Sequence, residues 1–178
     1  MDEFLKAYFL ETGLGWAALG IVLATMWGGI GSAIGIRIAA SQGAGVMSEK
    51  PELFGKLFLL IAMPGTQGIY GFVYGFLVMF RTGILGGKVD VSPLTGITYA
   101  AVGLCCGIVF WLSAINQGRA SAAAISLTAK KPDQFGRALI LPALVEFYAM
   151  LALLTALFLL FFVKWPIVAD AAKTVTGS

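Results

Sequence analysis

The sequence predicts an all-α membrane protein whose four transmembrane helices form two tandem helical hairpins. Three observations predict this fold. Of the 178 residues, 59% are hydrophobic and 12% are charged, which is the balance of an integral membrane protein. Four apolar segments each reach the roughly 20 residues that a helix needs to cross a bilayer. The second half of the chain also repeats the first.

The four apolar segments define the elements of the two hairpins. We expect the first hairpin to occupy residues 1–80 and the second, with a C-terminal tail, to occupy residues 81–178. The connection between them contains Gly86, Gly87 and Pro93 as helix breakers. The predicted spans are residues 13–36, 57–80, 93–115 and 138–163.

Small residues recur every four positions on the first and third predicted helices. Such stripes allow helices to pack closely, either inside one bundle or between copies of the chain. Both stripes continue past the apolar spans, so we expect these two helices to project beyond the membrane. The stripe residues are Gly31, Gly35, Ala39 and Gly43 on the first helix, and Ala114, Gly118 and Ala122 on the third.

The loop inside each hairpin carries the clearest repeat. Residues 50–56 (KPELFGK) align with residues 131–137 (KPDQFGR) at an offset of 81. A duplicated hairpin in parallel orientation explains this pattern. The same offset aligns Glu146 with Gly65, so one carboxylate is predicted for the four helices.

Basic residues are distributed unevenly among the connections. The two loops inside the hairpins contain seven Lys or Arg residues, and the connection between the hairpins contains two. The positive-inside rule therefore predicts cytoplasmic hairpin loops and both termini outside. The acidic N-terminus lacks the basic region of a cleaved signal, so we expect the first helix to act as an uncleaved membrane signal. We expect no nucleic-acid partner, because the basic residues are topology signals.

One acid lies inside an apolar span. Glu146 is the only ionisable group of residues 138–163 apart from the phenol of Tyr148. A charge at this depth costs about 3 kcal/mol on insertion scales, so an intramembrane acid indicates a functional site. No catalytic residues are expected, since the chain contains no histidine. The adjacent Cys105 and Cys106 lack the spacing of metal ligands, and packing is their expected role.

Two glutamines lie at the predicted depth of this acid. Glu146 lies 15 residues after Lys131, which is in the second hairpin loop, and Gln117 lies 14 residues before Lys131. In the first hairpin, Gln67 lies 16 residues after Pro51, which is the corresponding turn. At a rise of about 1.5 Å per residue, the three positions agree to within one helical turn.

The second span contains a helix break just before this level. Pro64 cannot donate a backbone hydrogen bond, so the helix loosens there. Gly65 leaves room for an ion or a neighbouring helix, and Thr66 adds a hydroxyl. Tyr70 lies one turn further along and is placed to donate its hydroxyl to the carboxylate. Irregular backbone at membrane depth is tolerated where it lines a buried site.

The donor types distinguish between possible cargoes. A hydroxyl, two amide oxygens and one carboxylate are hard oxygen donors with a single negative charge, which suits one monovalent cation. A divalent ion requires more carboxylates, and transition metals prefer nitrogen or sulfur. A proton carrier requires only the acid, so the neutral donors favour Na⁺ over H⁺. Taken singly, Thr and Gln side chains also serve as hydrogen-bonding contacts between helices.

These motifs resemble the proteolipid (K, or c-type) subunit of V/A-type rotary ATPases, particularly the sodium-translocating bacterial kind. The resemblance covers nearly the whole chain. It is carried by GIGSAIG at 29–35, PGTQGIYGF at 64–72, NQGRASAAA at 116–124, KKPDQFGRAL at 130–139 and VEFYA at 145–149.

The resemblance implies a membrane rotor ring of identical subunits in a prokaryotic cell membrane. The ring would turn against a stator during ATP hydrolysis or synthesis, and the subunit would not be catalytic alone. The implied partners are a stator subunit that supplies an arginine, a central-stalk subunit that contacts the cytoplasmic loops, and the lipid bilayer. Two alternatives stay open: a rotor that carries H⁺, and a small four-helix secondary transporter that uses Glu146.

The resemblance also implies a ligand set for Na⁺. Tyr70 would hydrogen-bond the carboxylate, beside the support that Pro64 and Gly65 give. The implied ligands are the side chains of Thr66, Gln67, Gln117 and Glu146 and the backbone carbonyl of Met63.

Overall fold

Four long helices make up most of the described chain. The structure is a computed structural model that describes residues 2–87, 89 and 91–162, and it contains no strand within these ranges. All four helices are long and apolar enough to cross a membrane, which confirms the predicted fold class. A short helix, Asp2–Lys6, precedes them. The long helices are α1 (Leu14–Glu49), α2 (Pro51–Arg81), α3 (Pro93–Lys130) and α4 (Phe135–Phe162).

The helices are longer than the apolar segments that predict them. α1 has 36 residues and is therefore about 54 Å long, whereas the hydrocarbon core of a bilayer is about 30 Å thick. α3 has 38 residues and likewise continues far past residue 115. The predicted C-terminal tail lies outside the described residues, and the predicted division at residues 80 and 81 stays a prediction.

The two hairpins lie side by side in the same orientation. α2 packs against α1, α4 packs against α3, and the largest contact joins α1 to α3. Both hairpin loops lie at the same end, because the ammonium group of Lys50 donates to the carbonyl of Ala129 at 2.6 Å. Lys56 similarly donates to the carbonyl of Pro132 at 2.9 Å. The repeats are therefore parallel.

Glycines bring α1 and α3 into backbone contact. A Cβ atom at Gly103 would overlap the backbone of Gly20, and one at Gly118 would overlap the backbone of Gly35. The two sites are 15 residues apart on each helix, so the contact keeps one register over about four turns. Such close approach replaces side-chain packing with van der Waals contact between backbones. The small-residue stripes therefore lie largely inside one copy.

A polar layer separates two apolar clusters. One cluster includes Tyr74 and Phe110, and the other includes Leu60 and Ile125. On each helix, the polar residue of the layer lies between residues of the two clusters along the chain. The residues of this layer are Ser32 on α1, Gln67 on α2, Gln117 on α3 and Glu146 on α4.

Candidate ion-binding site

The helix break in α2 shapes one side of the candidate site. Residues Met63–Gly65 form a 3₁₀ turn, since the proline in this segment cannot donate to the helix. The hydroxyl of Thr66 lies 3.0 Å from the carbonyl oxygen of Met63. The amide of Gly68 donates to the hydroxyl of Ser32 on α1 at 2.8 Å. The loosened segment is thus fixed by α1.

The carboxylate of Glu146 is partly buried and accepts three side-chain hydrogen bonds. The hydroxyl of Thr66 donates to its Oε2 atom at 2.8 Å, and the Nε2 atom of Gln117 donates to the same oxygen at 2.5 Å. The phenol of Tyr70 donates to Oε1. Two helices, α2 and α3, therefore provide the donors to one acid on α4.

The two glutamines form a buried layer behind this acid. Both side chains are fully buried, and the Nε2 atom of Gln67 donates to Oε1 of Gln117 at 2.7 Å. Gln117 also lies 3.1 Å from the backbone carbonyl of Pro142 on α4. The Oε1 atom of Gln67 lies 3.4 Å from the Thr66 hydroxyl. The five predicted ligand residues therefore lie together. Met63 joins the network through its backbone carbonyl, which contacts the hydroxyl of Thr66.

The predicted support residues lie beside this network. Pro64 is buried and packs against α1, where its Cβ atom would meet a side chain at Gly35. The Cβ position of Gly65 lies 3.3 Å from the Cδ1 atom of Ile36, so this glycine allows close packing of α2 on α1.

Sequence reasoning missed Ser32 and Pro142. Ser32 follows Gly31 in a segment of small residues, where a serine carries no signal beyond its size. Pro142 lies four residues before Glu146 and places a helix-breaking residue next to the acid, as Pro64 does next to Thr66. That position could have indicated a backbone carbonyl near the site.

No protein cation neutralises the acid in the described part of the chain. The one ion pair found within residues 2–87, 89 and 91–162 joins Lys6 to Glu11 at 4.0 Å. Those same ranges hold no cluster of three His, Cys, Asp or Glu residues of the kind that binds a divalent or transition metal. The donors suit a proton or a monovalent cation. A cation at Glu146 would repel the NH₂ group of Gln117, so its amide oxygen must turn towards the ion.

Comparisons with known proteins agree with this architecture. The sequence pattern of the family described as the C subunit of ATP synthase matches residues 19–78 and 100–159. These two segments begin 81 residues apart, which is the offset of the internal repeat.

Three relatives are similar over much of the chain. The V-type sodium ATPase subunit K of Enterococcus hirae is 37% identical over 139 residues, which cover 78% of this chain and 86% of that protein. The A-type ATP synthase subunit K of Methanocaldococcus jannaschii is 39% identical over 145 residues, which cover 80% of this chain and 60% of that protein. The V-type proton ATPase 16 kDa proteolipid subunit of Chrysotila carterae is 34% identical over 94 residues, which cover 51% of this chain and 56% of that protein.

Proposed function

Because the chain belongs to the ATP synthase C-subunit family, we propose that it is the ion-carrying rotor subunit of a V/A-type ATPase. It is a multi-pass membrane protein and is not catalytic alone. The observation that carries this function is the hydrogen-bonded carboxylate of Glu146 inside four apolar helices. An intramembrane acid with arranged polar partners is typical of an ion path. Family membership favours this role over a small secondary transporter.

The proposed cargo is Na⁺. Glu146 would supply the charge, and neutral oxygens would replace the water around the ion. The contacts of Thr66 with Glu146 and with the carbonyl of Met63 support this ligand set. Tyr70 would hold the second carboxylate oxygen. A bacterial relative that matches most of the chain carries the name sodium ATPase subunit, which also favours Na⁺. The proposed ligands are Glu146, Gln117, Gln67, Thr66 and the Met63 carbonyl.

The proposed mechanism depends on the charge of one site. With Na⁺ bound, Glu146 is neutralised and can pass through lipid as the ring turns. Without a cation, exposure of the carboxylate to lipid is too costly, so only sites that hold a cation pass through the part of the rotation that faces lipid. At the stator, an arginine would displace the ion into an aqueous path, and a second path would reload the site. The displacing cation would come from another subunit, since the described part of this chain pairs no basic side chain with Glu146.

Proton transport is the second candidate. The three hydrogen bonds to Glu146 would also position a carboxyl group that carries H⁺. One relative is named as a proton ATPase subunit. In either case we propose a ring in a prokaryotic cell membrane, with both termini outside and the hairpin loops facing a cytoplasmic central stalk.

Carbodiimide labelling of the purified ring tests the cargo. The reagent attacks a protonated carboxyl group, so bound Na⁺ should slow the labelling of Glu146 at fixed pH. The matched control is Glu146→Gln, which should not be labelled under any condition. Protection by NaCl and not by equal KCl supports a sodium site. Equal labelling in both salts across the pH range contradicts Na⁺ binding and supports the proton carrier.

A further inference from the structure

Two prolines interrupt the helices that carry the proposed ion ligands. Pro64 lies in α2, and Pro142 lies in α4. A proline has no N–H group to donate to the carbonyl four residues before it. The carbonyls of Leu60 and Ala138 therefore lack the hydrogen bond that a regular helix would provide. No side chain in the described part of the chain donates to either carbonyl.

Contacts between α3 and α4 place Ser121 at the level of Ala138. Ser113 and Gln117, one turn apart on α3, both donate to backbone carbonyls of α4, and Gln117 donates to that of Pro142 at 3.1 Å. The two helices are antiparallel, so one further turn along α3 corresponds to one turn back along α4. That step pairs Ser121 with Ala138, and both residues are fully buried.

Contacts through α1 place Leu60 at the same level. Pro64 and Gly118 both pack on Gly35 of α1, so the two residues lie side by side. One turn back from this point along α2 is Leu60, and about one turn further along α3 is the buried serine. Leu60 and Ala138 also belong to one buried cluster, and the part of α2 before its break contacts both α3 and α4.

The hydroxyl of Ser121 is buried and has no hydrogen-bond partner among the described residues. Ser126 and Thr128 on the same helix each donate to the carbonyl four residues before them. Ser121 does not form this local bond, so its hydroxyl is available to a group outside its own helix. A buried hydroxyl that stays unpaired destabilises a fold.

We propose that the hydroxyl of Ser121 and the carbonyls of Leu60 and Ala138 bind one water molecule. The water donates one proton to each carbonyl and accepts the proton of the hydroxyl, so all three groups gain a partner. About three hydrogen bonds are typical of a buried water. This water lies about one turn from Gln117, towards the hairpin loops. It links α2, α3 and α4 where the two helices with the proposed ligands are interrupted.

A cation fits these three groups less well than water does. None of the three groups carries a negative charge, and a cation without a counter-charge is costly to bury. A cation would also use a lone pair of the Ser121 hydroxyl and turn its proton towards the apolar side chains of the cluster. The groups therefore favour a neutral ligand that both donates and accepts hydrogen bonds.

The stability of Ser121→Ala distinguishes a bound water from an unpaired hydroxyl. If the hydroxyl had no partner, its removal would relieve a buried unpaired group and raise the unfolding temperature. If it holds a water, its removal takes away one of three hydrogen bonds, and we expect a fall of about 2–4 °C. The measurement is thermal unfolding of the purified protein in detergent. An unchanged or higher temperature contradicts the water site.

Thr128→Val is the matched control on the same helix. Thr128 is fully buried, and its hydroxyl donates to the carbonyl of Ala124 in its own helix at 2.8 Å. Valine keeps the shape of the side chain and removes only this local bond. The unfolding temperature should therefore fall less than in Ser121→Ala. An equal fall in both variants contradicts a special role for the hydroxyl of Ser121.

A high-resolution structure of the purified protein tests the site directly. The expected result is a density peak about 2.6–3.2 Å from the Ser121 hydroxyl and from both carbonyl oxygens. A Ser121 hydroxyl that bonds its own helix, with no such peak, overturns the proposal. Crystals soaked in RbCl separate water from a cation. Anomalous signal from Rb⁺ at these three oxygens identifies a cation site instead, and its absence beside the density peak supports water.

An effect of the water on the ion site rests on the proposed function and is measured separately. The water holds the two interrupted helices together, so the NaCl concentration that half-protects Glu146 from carbodiimide should rise several-fold in Ser121→Ala and stay unchanged in Thr128→Val. An unchanged requirement in both variants contradicts this effect. If NaCl gives no protection to the unsubstituted protein, the sodium proposal fails, and the density peak and the unfolding temperature still decide whether water is bound.

Discussion

At the scale of single residues, the site is a carboxylate whose two oxygens have different partners. Oε2 of Glu146 is shared by Thr66 and Gln117, whereas Oε1 accepts from the Tyr70 phenol. A cation that binds Oε2 would compete with the first two donors, and the phenol would be undisturbed. Thr66 and Gln117 are therefore expected to act as ligands, and Tyr70 as a residue that orients the acid.

Tyr70 and Tyr74 lie one turn apart, and substituting each of them distinguishes a tyrosine that orients the acid from one that only packs. Tyr70→Phe removes a hydrogen bond to a charged group, which is worth about 1.5–3 kcal/mol, so we expect Na⁺ to bind about 10- to 100-fold more weakly. The measurement is the NaCl concentration that halves the labelling rate.

Tyr74→Phe is the matched control for this prediction. Its phenol donates to the carbonyl of Tyr99 at 2.7 Å and does not contact Glu146. It should lower ring stability and leave the Na⁺ requirement unchanged. Equal shifts in both variants would argue against an orienting role for Tyr70.

At the scale of the elements, the interrupted helix α2 depends on a neighbour for its hydrogen bonds. The amide of Gly68 is bonded to the hydroxyl of Ser32, so α1 completes the helix that carries Thr66. An unpaired buried amide costs about 1–3 kcal/mol, which is a large part of the stability of a small fold.

Ser32→Ala should therefore affect both stability and ion binding. We expect the ring to dissociate at a lower temperature, and the Na⁺ concentration for half-protection to rise several-fold, because Thr66 loses its fixed position. Ser41→Ala, an exposed position of the same helix, is the control and should change neither. If both variants resemble the unsubstituted ring, the bond from Ser32 does not hold the break in place.

Hydrophobicity located the elements but not their ends. The apolar spans stop at residues 36 and 115, yet α1 continues to Glu49 and α3 to Lys130. An apolar span reports where lipid surrounds a helix, whereas helix length is set by backbone hydrogen bonds and packing. The small-residue stripes indicated the extension, since they run past the spans.

Counting residues from the turns located most of the site. Depth is nearly linear in residue number along a helix, so Glu146, Gln117 and Gln67 were predicted at one level. Ser32 and the Pro142 carbonyl were not predicted, because their role depends on which helices face each other. Ion binding at the site stays a prediction.

At the scale of the whole molecule, backbone contact between α1 and α3 joins the two hairpins. A methyl group at Gly103 would overlap the backbone of Gly20, and backbone cannot move aside as a flexible side chain can. Nothing lies within 4 Å of the Cβ position of Gly45 on α1, so a side chain is free to occupy that space.

These two glycines make a matched pair. Gly103→Ala should lower stability by about 1–3 kcal/mol through overpacking. Gly45→Ala should be neutral or stabilising by up to about 1 kcal/mol, because alanine favours the helix more than glycine does. The measurement is thermal unfolding of the purified ring, and the opposite order of the two variants would contradict the backbone contact.

The repeat aligns Glu146 with Gly65, so only one of the two hairpins carries an acid. This alignment sets the number of ions that the proposed motor would carry per turn. In that motor, each copy of the chain would use two hairpins to move one ion, so a turn would carry half as many ions as a ring of equal circumference with an acid in every hairpin. The free energy available per turn from ATP is then divided among fewer charges. At about 2.3 kcal/mol per charge per 100 mV, such a ring can drive ions against roughly twice the membrane potential before it stalls.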